Sequence, residues 1–159
     1  MPEPLSPSAQ KVQDLLRDSG FPNQVIEHPK TTRSALEAAQ AIGCRVEQIV
    51  KSLIFKTRYT HRPILVVASG ANRVNEKKLG VHLGEKISKP DAEFVRLQTG
   101  YAIGGVAPVG LPEGLETFID EDLLQYAEIW AAAGNPNAVF KLSPGDLQKM
   151  TGGRVISIQ

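Results

Sequence analysis

Apolar positions along the chain fall in short blocks that switch between helical and strand spacing. Val12, Leu15 and Leu16 recur at helical spacing behind Ser6 or Ser8, either of which can cap a first helix, and Gly20 stops it. Residues 24–28 read as a short strand holding Val25 and Ile26. Ser34 can cap a second helix through Leu36, Ala38, Ala39 and Ile42, closed by Gly43. Residues 49–56 mix apolar and β-branched side chains and read as a buried strand. Residues 64–68 are nearly all apolar and read as its neighbour, across a turn at Thr60-His61-Arg62-Pro63. Asn75 starts a short helix with Leu79 facing inward. Pro90-Asp91-Ala92-Glu93 starts another, with Phe94, Val95 and Leu97 on its apolar side.

A glycine-rich run follows over residues 100–110. Residues 117–119 and 129–132 read as strands around a short acidic segment, and residues 138–142 as a further strand. Ser143-Pro144-Gly145-Asp146 opens a helix carrying Leu147 and Met150, Gly152-Gly153 ends it, and residues 154–158 alternate like a last strand. Strands and helices mix without a regular βαβ rhythm. The expected class is therefore α+β, with one mixed, barrel-like β-sheet and flanking helices. No repeat or linker interrupts the pattern, so residues 1–159 read as a single domain, with residues 1–22 as its N-terminal helical segment.

Composition narrows the setting. Hydrophobic residues make up 42% and charged residues 22%, ordinary values for a globular chain. The one cysteine, Cys44, excludes an internal disulfide. The start of the chain lacks a basic segment followed by an apolar run, and no stretch approaches the ~20 apolar residues of a membrane span. Cytoplasmic residence without a membrane partner is the expectation. The net charge of +1 hides an asymmetry: residues 28–96 carry 13 Lys/Arg against 6 Asp/Glu, and the remainder 5 against 11. Such a segment either gathers phosphates onto one face or scatters its charges around the surface.

Several chemistries are missing from the sequence. The histidines His28, His61 and His82 lack metal-ligand spacing, and no metal or cofactor is expected. There is no phosphate loop, dinucleotide fingerprint or nucleophile elbow. Cys44, beside Arg45, has no obvious histidine partner and reads as a small buried hydrophobe.

Three features remain. Lys51 stands in an apolar strand, on the face of Leu53 and Phe55, where a cation needs a partner, a solvated cleft, or an escape along its stem to water. The loop with Gly100, Gly104, Gly105, Pro108 and Gly110 lets a ligand approach the backbone, or is a plain tight connection. Ala133-Gly134-Asn135-Pro136-Asn137 is a turn between strands, with or without a part in a pocket wall. Arg73, Lys77 and Lys78 are candidate contacts to nucleic-acid phosphates, or a solvated helix start.

In this order, Val50-Lys51-Ser52-Leu53, the run Gly100 to Pro108, Ala133-Gly134-Asn135-Pro136-Asn137 and Pro144-Gly145-Asp146-Leu147 resemble the YbaK/ProX family of aminoacyl-tRNA deacylases. That family is related to the editing domain of bacterial prolyl-tRNA synthetases. The resemblance implies a cleft for the aminoacylated 3′ end of a mischarged tRNA, and a synthetase as a further partner. It implies Lys51 and Gly104 as catalytic residues, with Ser52, Gly105, Pro108, Ile26, Asn137 and Val139 contacting substrate. Where some members carry an acidic or histidine side chain, Ala138 and Val139 stand here; where some carry a tyrosine, Ile26 stands. The implied reaction is metal-free hydrolysis by a free-standing trans-editing enzyme. Water would attack the ester while the Gly104–Pro108 loop and Lys51 stabilise the developing charge. The rival readings are a binding module for tRNA or a synthetase without turnover, and a hydrolase of free esters. The apolar neighbourhood of Ile26, Ala138 and Val139 points to a small or aliphatic amino acid.

Overall fold

The computed structural model describes residues 4–28 and 34–159. Five helices and eight strands follow in the order α1 (Pro7–Asp18), β1 (Val25–Glu27), α2 (Ala35–Ile42), β2 (Val50–Thr57), β3 (Pro63–Ser69), α3 (Glu76–Leu83), β4 (Ile87–Ser88), α4 (Ala92–Thr99), β5 (Glu116–Asp120), β6 (Ile129–Ala132), β7 (Ala138–Leu142), α5 (Pro144–Thr151) and β8 (Arg154–Ile156). Two 3-10 turns, Val46–Gln48 and Glu121–Gln125, connect α2 to β2 and β5 to β6.

The caps follow from residue chemistry. Ser34, Asn75, Asp91 and Ser143 each accept the amide three residues on, satisfying a donor the first helical turn leaves open. Ser6 holds the N-cap position of α1 but makes no side-chain cap. Its hydroxyl donates to Glu27 on β1 instead, and so ties the helix to the sheet.

The strands form two open sheets. One has the order β1-β7-β6 and is wholly antiparallel. The other runs β4-β2-β3-β5-β8, with β2 antiparallel to both neighbours and β3, β5 and β8 parallel. Among the described residues, a single parallel bridge, Ile49 to Trp130, joins the sheets. The mixed α/β content expected from the sequence is present, whereas the barrel-like sheet is replaced by two open ones. The cause lies along β2: β4 pairs only with Lys56 and Thr57, and the bridge sits just before Val50. Among the described residues, no strand ladders onto Val50–Phe55 from that side.

The central strand β3 is buried on both faces, as its continuous apolar run requires. One face packs Leu65, Val67, Val50, Ile54 and Ile119 against α1 and the three-stranded sheet. The other packs Ile64, Val66, Ala68, Phe55 and Phe118 against Leu79 of α3. Two expectations fail in detail. Leu97 is exposed, because α4 turns Val95 inward and Leu97 lies two residues, more than half a helical turn, further on. The last strand stops at Ile156, although Ile158 is still buried. Among the described residues, no helix is long and apolar enough to cross a membrane.

Candidate functional site

The open flank of β2 is one wall of a cavity of about 1010 Å³. Residues from Ile49 to Phe55 line it, together with Ala35 and Ala38 of α2, Arg73, Lys89, Ile103, Gly104 and Val106, and Trp130, Ala132, Ala138 and Val139 of the three-stranded sheet. A strand edge without a partner presents main-chain donors and acceptors. Here that edge faces a concave space of the size of small-molecule sites.

Lys51 stands opposite Ala68 in the β2–β3 ladder, with Leu53 opposite Val66 and Phe55 opposite Ile64, so period-two alternation places it on the apolar face as expected. Its ammonium neither pairs with a carboxylate among the described residues nor escapes fully to water. It is half-buried and donates to the main-chain oxygen of Asn72 at 2.6 Å. Burial pushes its pKa below the ordinary lysine value. The positive charges of Arg73 and Lys89 push the same way, and Asp120 opposes them.

The glycine loop reaches the cavity from the other side. Gly104 has φ +85°, a conformation that L side chains rarely adopt, and it lines the cavity with Ile103 and Val106. Gly105 lies behind it, where a Cβ would stand 2.6 Å from the oxygen of Gly134. The Gly134 amide donates back to Gly105 at 3.0 Å. Tyr101 braces the loop by donating its hydroxyl to the Val109 oxygen at 2.5 Å, and burial raises that phenol to about 12. The amides of Gly104 and Val106 donate to no acceptor among the described residues. The hydroxyl of Ser52, buried in the β2 wall, also lacks a partner among the described residues.

Of the residues singled out from sequence, Lys51, Ser52, Gly104, Val139 and Arg73 line the cavity. Gly105, Pro108, Ile26, Asn137, Lys77 and Lys78 are not among its lining residues. Gly105 and Pro108 are buried behind the loop. Ile26, opposite Val139 in the β1–β7 ladder, is exposed on the edge strand. Asn137 gives its main-chain oxygen to the His28 amide. Lys77 is exposed on α3, and Lys78 reaches the oxygen of Gln159. The basic segment is divided: Lys51, Arg73 and Lys89 face the cavity, whereas Arg45 and Arg62 pair with Glu47 and Glu116 elsewhere. Burial raises the Cys44 thiol, which disfavours the thiolate a nucleophile needs. Sequence reading missed Lys89, Trp130 and the α2 wall. It also missed Asp120, an ionisable residue ending an apolar strand as Lys51 is one near the start of another.

Comparison with known proteins identifies the family. A family profile described as "Aminoacyl-tRNA editing domain" matches residues 29–150. A solved structure described as a candidate trans-editing enzyme for prolyl tRNA synthetase superposes with TM-score 0.92 at 44% identity, covering 98% of this chain and 99% of that one. The uncharacterized protein YwhH of Bacillus subtilis is 32% identical over 84% of each chain. EbsC of Enterococcus faecalis, named as a candidate Cys-tRNA(Pro)/Cys-tRNA(Cys) deacylase, is 28% identical over 79% of this chain and 76% of its own.

Proposed function

Because the chain belongs to the aminoacyl-tRNA editing domain family, we propose that it is a trans-editing hydrolase that removes a wrongly attached amino acid from tRNA. One observation carries the proposal: Lys51 and the Gly104 loop, far apart in sequence, line the same cavity.

The aminoacylated 3′ end enters along the free edge of β2, where main-chain groups, those of Ser52 among them, hold the terminal ribose. Water adds to the ester carbonyl. The carbon–oxygen bond to the ribose then breaks, the ribose oxygen takes the proton, and free amino acid and deacylated tRNA leave. Negative charge develops on the carbonyl oxygen during the addition. The Gly104 and Val106 amides and the Lys51 ammonium are donors able to stabilise it, and they act strongly because the site is partly withdrawn from water. No serine–histidine or cysteine–histidine pair is needed, since the substrate is already an activated ester.

Ala35, Ala38, Ala132, Ala138 and Val139 give the acyl end an apolar wall. This supports a small, uncharged amino acid, because a charged side chain buried there would be unpaired. Arg73 and Lys89 at the same cavity suit the phosphates of the acceptor end. Gly105 and Pro108 support the loop, while Ile26 and Asn137 flank the site through β1 and β7.

The test is catalytic release of amino acid from a panel of mischarged tRNAs, with protein far below substrate concentration. Multiple turnovers on a small aliphatic amino acid are expected. Binding without turnover on every member would replace the enzyme with a binding module. Equal rates on free aminoacyl esters would remove the tRNA body from recognition.

A further inference from the structure

Lys51 is held from behind by a buried polar strap. Asp120, at the end of β5, is 1% exposed. One of its carboxylate oxygens accepts the Ser69 amide at 3.0 Å and the Asn72 side-chain amide at 2.8 Å; the other accepts the Asp122 amide at 3.0 Å. The Asn72 amide nitrogen also donates to Asp122 at 2.7 Å. Asn72 is thus clamped through its side chain between two carboxylates, while its main-chain oxygen takes the Lys51 ammonium.

The segment between is equally fixed. The Gly70 amide donates to Ile49 at 2.7 Å, a Cβ at Gly70 would stand 2.4 Å from the Val46 oxygen, and the Ser69 hydroxyl donates to Glu47. We propose that Asn72 and Asp120 are positioning residues: Asp120 fixes the Ser69–Asn72 turn, and the Asn72 carbonyl aims the Lys51 ammonium into the cavity. The proposal rests on the editing role assigned to Lys51 above.

The indirect link has a physical point. A carboxylate bonded to Lys51 directly would neutralise it and occupy its donors. A neutral carbonyl takes one N–H and leaves two for substrate. The negative charge of Asp120 still favours the ammonium from a distance, against Arg73 and Lys89. The charged groups facing Lys51 are therefore Arg73 after β3, Glu76 on α3, Lys89 before α4, Asp120 on β5 and Asp122 just beyond it.

Asp120→Asn keeps the shape but leaves one set of donors facing another, and it removes the charge. Its kcat should fall about 10–100-fold with KM within about twofold, the signature of misplacement rather than lost binding. The alkaline fall in rate should move to lower pH, because the ammonium has lost its favourable neighbour. In a Lys51→Ala background the same change should cost less than about twofold.

An equal loss in both backgrounds would make Asp120 merely structural and overturn the strap. An inactive Lys51→Ala beside a fully active Asp120→Asn would also overturn the strap but keep the site. A fully active Lys51→Ala would reject the site itself, and the strap with it. Thermal melting checks each variant; if Asp120→Asn is unfolded at the assay temperature, Asn72→Ala enters the same cycle under the same criteria.

Discussion

On the β2 side of the cavity the candidate working group is a side chain, Lys51, held through Asn72 by a buried acid. On the opposite side the candidate groups are main-chain amides of a loop, held where Gly105 packs against Gly134. The first wall tolerates a costly ionisable group because a hydrogen-bond network surrounds it. The second needs no ionisable group, but its shape leaves no room for a Cβ. A site built this way separates chemistry from packing. Substitutions on the β2 wall should cost activity with little stability, and substitutions on the glycine wall should cost both.

The largest expected effect tests the first half of that contrast. Lys51→Ala removes the proposed donor for the developing oxyanion, and one such donor is worth about 10²–10³ in rate. It also removes a half-buried cation whose burial disfavours its charge. The melting temperature should therefore stay within about 2 °C of the parent. Initial rates on a mischarged tRNA, with spontaneous hydrolysis subtracted, and a thermal melt together measure both. A large drop in melting temperature would mean that Lys51 is a structural residue.

Gly105→Ala tests the second half. The new methyl would meet the main chain of Gly134 and Asn135 at 2.6–2.9 Å, and neither is the free end of a flexible side chain. The loop or the turn must move, at a cost of about 1–3 kcal/mol. Because Gly104 is the preceding residue, the candidate amides move with it, and deacylation should fall together with stability. A stable variant with low activity would show that the loop position, not its packing, sets the rate.

Tyr101 offers a finer probe of the same wall. Tyr101→Phe leaves the Val109 oxygen without its donor, costing about 1–2 kcal/mol. The sign of the pH effect follows from the raised phenol. The native state holds the proton up to about pH 12, while the unfolded chain releases it near 10. The parent's contribution is therefore complete below pH 10 and is lost as pH rises towards 12. The phenylalanine variant should start less stable and lose less over that interval in urea unfolding series. Parallel curves would mean that the phenol does not titrate differently in the folded state.

The contrast also explains what the sequence could reveal. The helices were legible because Ser34, Asn75, Asp91 and Ser143 cap them through local chemistry. Lys51 stood out because a cation in an apolar strand is costly wherever the strand lies. The barrel-like sheet was misread because pairing along the outer edge of β2 depends on β4 and β6, segments of two and four residues whose reach no periodicity encodes. Ile26 and Val139 appeared to share a pocket because both are apolar. They are opposite each other in the β1–β7 ladder, yet only Val139 is buried. The strap reaches Lys51 through the main-chain carbonyl of Asn72, and a carbonyl leaves no mark on residue identity.

The smallest expected effect concerns the start of α3 and the segment before it, where Lys77 stands outside the cavity wall and Arg73 within it. If the acceptor strand runs from the cavity over the start of α3, each cation neutralises a phosphate and releases counterions. Arg73→Ala and Lys77→Ala should then each weaken binding only about two- to threefold at moderate salt. Each should also reduce the slope of log affinity against log salt by about 0.7–0.9. Titrating a non-hydrolysable aminoacyl-tRNA analogue at several salt concentrations measures this. A changed slope for Arg73→Ala with an unchanged one for Lys77→Ala would confine the contact to the cavity mouth. The strand would then leave past Lys89 instead, and Lys89→Ala should show the missing slope.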